Sequence, residues 1–221
     1  NIAERNQTAH FFYYEVNMNP NPKKRIDSFF AIPILQRNLE GMEEFNQNLI
    51  DNLDTFMSEN PNKKPINWCC DLYVSGISDN LLEQKQFECL RKPILENVTK
   101  YCEFMDYNII DYKIKIADCW LNVYNQGHTQ EMHNHPGMNI SGIYYPTSSE
   151  LDGHLVFKSQ YADSMNQIPL SKITSRNSNY VYFETEKSNI LIFPSHLMHG
   201  VMPNKSERRV SISFNILLER F

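Results

Sequence analysis

A chain of 221 residues is long enough for one sizeable domain that buries well over half of the surface exposed by its unfolded form. With 41% hydrophobic and 21% charged residues it has the composition of a soluble globular protein, and its net charge of -5 argues against a nucleic-acid partner, which selects for a basic surface. No apolar run approaches the roughly 20 residues needed to cross a bilayer, so no membrane partner is expected, and no secretory leader either.

In chain order, residues 17–25 form a loop by their Asn and Pro content, and the basic run Lys23-Lys24-Arg25 within it is a solvated surface. From Leu39, apolar residues recur at Met42, Phe45, Leu49, Leu53 and Phe56, a spacing that predicts one helix with a single buried stripe, stopped by Asn60-Pro61-Asn62. A second helix carries Phe87, Leu90, Ile94, Val98, Tyr101 and Met105, with Pro93 at a kink or in a first turn. The five cysteines, Cys69, Cys70, Cys89, Cys102 and Cys119, are odd in number and lack framework spacing. They read as reduced thiols in a cytoplasmic protein.

After Tyr112 the period changes from three and four to two. Segments around Lys113–Ile116, Trp120–Tyr124, Ile140–Tyr145, His154–Phe157, Tyr180–Phe183, Asn189–Phe193 and Arg209–Ile216 read as short strands bounded by turn residues. Many such strands in sequence predict a sandwich or a double-sheet jelly roll rather than a parallel sheet. The fold class expected is therefore α+β, a single domain over 1–221. Its mainly helical part, 1–111, buttresses a strand-rich core over 112–221. Residues 159–179, rich in Ser, Asn and Gln, form a long loop expected to shape a pocket.

Six of the seven histidines fall between His128 and His199. His133 and His135, one residue apart in an extended segment, can reach one metal ion together because side chains alternate with period two. His199, behind Phe193-Pro-Ser, completes a three-imidazole site with open positions. His128 and His196 are weaker candidates, and His154 is a possible neighbour of the same cavity.

The stretch Tyr124-Asn-Gln-Gly127-His-Thr-Gln-Glu-Met-His133-Asn-His135 resembles the entry to the metal site of prolyl-hydroxylase-type iron(II)/2-oxoglutarate-dependent oxygenases. With Trp120-x-Asn122, Ser141-Gly-Ile-Tyr-Tyr145, Phe193-Pro-Ser195 and Arg209-Val-Ser-Ile-Ser-Phe-Asn215, it is similar to an oxygenase subfamily of bacteria and cyanophages. The resemblance runs from about Tyr112 to the C-terminus and implies that 112–221 is a double-stranded β-helix, a jelly-roll barrel of antiparallel strands. It implies Fe(II) on His133, His135 and His199, which would be the catalytic centre. It also implies 2-oxoglutarate held by Arg209, Ser211 and Tyr145, with Tyr124 as a further contact, and molecular oxygen as co-reactant of an unidentified substrate. Arg208 should then face outward. His135 departs from the pattern, standing where the family has a carboxylate, and leaves the site one positive charge higher.

Two other readings stay open at this point. A three-histidine cupin-type metalloenzyme fits Gly127 and His133-x-His135 but lacks the expected glutamate, since Asn139 and Ile140 stand there, and gives Arg209 no task. A non-catalytic barrel gives neither the histidines nor Arg209 one.

Overall fold

The structure is a computed structural model, described here for residues 31–163 and 168–221. The loop expected at 17–25 and its basic run lie outside these residues. Residues 32–221 form one compact unit.

Among the described residues, ten strands make two antiparallel sheets. In chain order they are β1 (Leu35–Asn38), β2 (Tyr73–Val74), β3 (Tyr112–Asn125), β4 (Gln130–His133), β5 (Ile140–Tyr145), β6 (Leu155–Lys158), β7 (Tyr180–Phe183), β8 (Asn189–Pro194), β9 (His199–Val201) and β10 (Arg208–Arg220). The larger sheet runs β1-β8-β5-β10-β3-β2 and the smaller β4-β9-β6-β7, which is the double-stranded β-helix. The helices are α1 (Glu43–Asp51), α2 (Leu53–Glu59) and α3 (Arg91–Phe104), with 3-10 turns over Leu81–Glu83 and Lys85–Leu90.

The central strands of the larger sheet are buried on both faces, and period two divides their residues. On β3, Cys119, Leu121 and Val123 share a core with α3's Ile94, Val98 and Tyr101, while Trp120 and Tyr124 face the space between the sheets. On β10, Val210, Ile212, Phe214 and Ile216 join the helical side, which turns Arg209, Ser211 and Ser213 inward. The register pairs Arg209 with Tyr124, Ser211 with Asn122 and Ser213 with Trp120. One polar ladder thus lines the inner wall. It is the alternation of two otherwise apolar strands that puts it there.

The first expected helix is two helices. Asn52 closes α1 and opens α2, and its side-chain amide donates to the Asn48 carbonyl at 2.9 Å, an alternative to the helix ladder that Asn offers readily. The apolar stripe survives the break: Met42, Leu49, Leu53 and Phe56 are all buried. Pro93 lies in the first turn of α3, where its missing N–H costs nothing. The N-terminal half is less helical than its periodicity suggests. β1 and β2 cap the two edges of the larger sheet, pairing with β8 and β3. β1 is Leu-Gln-Arg-Asn with three exposed residues, a short polar edge strand without the apolar alternation that marks a strand in sequence.

Gly142, in the middle of β5, lies opposite Phe214. A Cβ there would come within 2.2 Å of the Phe214 ring and 2.8 Å of the Leu191 carbonyl oxygen. The absent side chain lets the ring cross the strand. Gly142→Ala should therefore cost about 1–3 kcal/mol of stability by overpacking, read as a lower urea midpoint. An unchanged midpoint would mean that Phe214 repacks freely.

Candidate metal centre

His133 ends β4 and His199 opens β9, and the two are cross-strand partners. The register slips between Gln130 and His133, so three steps on β4 match two on β9. A bulge of this kind re-aims side chains. Gly200 permits it, because a Cβ there would stand 2.8 Å from the Gln130 carbonyl oxygen. His135 lies just past the strand rather than on it, held by its N–H donating to the Ser195 carbonyl at 3.0 Å. Strand alternation alone therefore does not bring the first two rings together; the turn does.

The three rings converge. Centroids are 5.2 Å apart for His133 and His135, 4.4 Å for His133 and His199, and 5.2 Å for His135 and His199. One ligand atom from each lies within 4.8 Å of the others, the only such group of histidine, cysteine or carboxylate ligands among the described residues. His133 Nδ1 lies 2.8 Å from the Glu131 carbonyl oxygen, and His199 Nδ1 lies 2.8 Å from that of Leu197. A carbonyl can only accept, so both Nδ1 atoms carry the proton and both Nε2 lone pairs are free for a cation.

Burial lowers the pKa of all three rings. The mutual repulsion of the imidazolium forms lowers His135 and His199 further, bringing His135 to about 4. All three are neutral at pH 7, the state that binds metal. Metal binding at pH 7 should therefore release almost no protons. Calorimetric heats that agree between buffers of different ionisation enthalpy check this, and a release near one proton would contradict it. The linkage sign follows. Unfolded imidazoles protonate near 6.5 and the folded rings resist, so stability of the metal-free protein is full above 6.5. It falls as pH drops from there towards about 4.

At the inner end of the same cavity is Arg209, 1% exposed. Its guanidinium carbon lies 4.8 Å from the Tyr124 ring centre and 5.2 Å from that of Tyr145. Its Nη atoms donate only long bonds, 3.5 Å to the Ser211 hydroxyl and 3.4 Å to that of Tyr145, and Nε has no partner. No described carboxylate forms an ion pair with it. Burial raises both tyrosine pKa values against the guanidinium's lowering pull, so both phenols keep their protons. A buried cation with unused donors is half of a recognition site for a carboxylate. Arg208 faces outward, in an ion pair with Asp54 at 2.6 Å.

These two ends fit iron(II) and 2-oxoglutarate. Three neutral imidazoles suit a divalent transition metal, and the orphaned guanidinium suits the far carboxylate of a dicarboxylic keto acid.

Trp120 and Asn122 extend the inner wall. Trp120 Nε1 donates to the Asn122 side-chain oxygen at 3.0 Å, and the Asn122 amide donates to Ser213 at 3.0 Å. The Trp120 ring lies 5.8 Å from that of His135. Trp68, from the irregular segment before β2, lies 6.0 Å from His133. Sequence reasoning gave no role to Asn122 or Ser213, though polar residues at alternate positions of apolar strands were the signal. For Trp68 no local signal exists.

Three expectations need correction. His154 lies in another cleft, with Glu150, Glu184 and Thr185, because Leu155 takes the inward position at the start of β6. His128 Nδ1 accepts from the Asn125 N–H at 3.3 Å, and His196 is exposed. No described residue of 159–179 lines the cavity. That loop joins β6 to β7, the strand at one edge of the smaller sheet.

The comparisons with known proteins agree with this geometry. A prolyl-4-hydroxylase from Pseudomonas putida superposes with a TM-score of 0.58 at 12% identity, covering 85% of this chain and 93% of its own. A prolyl hydroxylase from Trichoplax adhaerens, in complex with a hypoxia inducible factor peptide fragment, gives 0.57 at 14% identity, covering 83% of each chain. HygX from Streptomyces hygroscopicus, with nickel and 2-oxoglutarate bound, gives 0.56 at 12% identity, covering 83% of this chain and 82% of its own. At these identities the likeness establishes the fold. No curated protein sequence matches. Residues 118–215 match the family described as "Putative 2OG-Fe(II) oxygenase". That match contains all three histidines, Tyr124, Tyr145, Arg209 and Ser211, and over these 98 of its 221 residues the chain is similar to the 2OG-Fe(II) oxygenases.

Proposed function

We propose that this enzyme is a hydroxylase that couples oxidative decarboxylation of 2-oxoglutarate to oxidation of an organic substrate. His133, His135 and His199 would hold iron(II) through one ring nitrogen each, and Arg209 would hold the cosubstrate. The observation that carries this reading is the buried guanidinium with an unpartnered Nε, sharing one cavity with three converging imidazoles.

Iron(II) and 2-oxoglutarate, when bound, supply the activation of molecular oxygen and the oxidising equivalent. The chain's own residues do the rest. Arg209 pairs with the far carboxylate, and the Ser211 and Tyr145 hydroxyls donate beside it, so the keto-acid end is aimed at the imidazoles. The Tyr124 and Tyr145 rings keep water from the guanidinium, which strengthens that pairing in a low dielectric. The carbonyls of Glu131 and Leu197 fix the tautomers of His133 and His199. Trp120 and Trp68 screen the imidazole end.

Five free cysteines support placing the enzyme in a reducing cytoplasm, that of the host if it is encoded by a cyanophage. No described helix is long and apolar enough to cross a membrane. Among similar folds, one holds a peptide fragment and another hygromycin B, so the shared fold is compatible with a protein side chain or a small molecule as substrate.

Succinate release from 2-oxoglutarate with added iron(II) and oxygen tests the function before any substrate is known. Slow uncoupled release is expected. Protein that demonstrably binds metal but neither binds 2-oxoglutarate nor forms succinate would instead be a cupin-type metalloenzyme or an inactive barrel.

A further inference from the structure

Both tryptophans of the chain stand at the histidines, but they are held differently. Trp120 is 3% exposed and fixed within β3 by its bond to Asn122. Trp68 is half-buried, in an irregular segment with no strand partner. A segment of this kind needs a specific anchor to hold an indole at a defined place.

Glu131 provides the anchor. Its Oε1 accepts the backbone N–H of Cys69 at 3.0 Å, across 62 positions of sequence. Gln130 Nε2 lies 3.4 Å from the other carboxylate oxygen. The residue after Trp68 is thus tied to β4, two positions before His133. Cys70 packs in the same inter-sheet core as Trp120 and Tyr124, which fixes the far end of the segment. On the near side the Trp68 backbone is held by the Pro65 carbonyl, at 3.1 Å, and by Lys64 Nζ, at 2.7 Å from the Trp68 carbonyl.

We propose that Glu131 is a positioning residue of the site: by gripping the Cys69 backbone it holds the Trp68 indole against His133, where Trp68 forms the substrate-facing wall. This rests on the reading that the three histidines hold the metal. The wall it builds is a flat, half-exposed aromatic face beside a ligand ring, suited to the apolar face of the group that is oxidised. Nothing covalent joins Trp68 to the histidines, so its place depends on these hydrogen bonds.

The test uses protein labelled with fluorotryptophan, whose two fluorine resonances are assigned with Trp68→Phe and read before and after loading with paramagnetic cobalt(II). In the unmutated protein both resonances should broaden, because both rings lie close to the site. In Glu131→Ala the Trp68 resonance should lose its broadening while that of Trp120 keeps it. Glu131→Gln, which retains an acceptor for the Cys69 N–H, should restore it, so a grip by hydrogen bonding is separated from an effect of charge. Equal broadening of Trp68 in Glu131→Ala overturns the proposal. Loss of both resonances' broadening in Glu131→Ala also overturns it, since Glu131 would then be supporting the metal site as a whole. If cobalt broadens neither resonance in the unmutated protein, the metal reading itself fails, and that result is distinguishable from failure of the Glu131 proposal.

Discussion

Replacing Arg209 with methionine should make the metal-free protein more stable and abolish binding of 2-oxoglutarate. Two opposing effects decide the first half. The guanidinium gains cation–π attraction from Tyr124 and Tyr145, about 0.5–2 kcal/mol for each ring. Its two hydrogen bonds, at 3.5 and 3.4 Å, are too long to add much. Against this stands the desolvation of a full charge, several kcal/mol even after relaxation, with Nε left unmet. Desolvation is the larger. Methionine fills similar volume, packs well against aromatic rings and carries no charge, so a gain of about 1–4 kcal/mol in urea unfolding is expected. The second half has the opposite sign. With its partner gone, the cosubstrate carboxylate would be buried unpaired, a loss of about 2–5 kcal/mol, or at least roughly 30-fold in affinity. Unmutated protein should therefore gain stability from metal with 2-oxoglutarate, and the variant from metal alone. A variant that is less stable than its parent and still binds 2-oxoglutarate would show that Arg209 is a structural residue.

The same residue shows how much of the site the sequence makes legible. Arg209 and Arg208 are neighbours of identical type, and period two in an apolar strand separates them: one is 1% exposed, the other forms a surface ion pair. Alternation likewise assigns Tyr145 to the core between the sheets and Tyr144 to the helical side, where its hydroxyl donates to Asn46 at 2.7 Å. What period cannot supply is anything set by a turn or a distant segment. His135 reaches its place through a bond from the turn to Ser195, and Trp68 through Glu131. The short polar β1 is invisible for a related reason, because its partner β8 and not its own pattern makes it a strand. The helical stripe from Met42 to Phe56 was readable as a buried face, but its break at Asn52 was not, since one side-chain amide decides it.

His135→Asp should bind iron(II) or manganese(II) more tightly, by at least about tenfold, and lose stability when the metal is removed. In the natural protein three neutral rings face one another at no charge cost, because burial has already lowered their affinity for protons. An aspartate there brings an anion into the same half-buried place, beside Trp120 and within reach of two imidazoles. Without metal that anion is desolvated and must recruit a proton, either itself or through His133 or His199, so the apo fold weakens at neutral pH. With metal the anion offsets one of the cation's two charges, and the carboxylate shifts preference from zinc and copper towards iron and manganese. Binding at pH 7 should then displace the recruited proton, giving calorimetric heats that depend on buffer, unlike the natural protein. Titrations with manganese(II) and zinc(II) across pH read both effects. If the variant binds manganese no better and shows no proton release, His135 is not among the ligands, and the cation must be held by His133 and His199 with a group other than this ring.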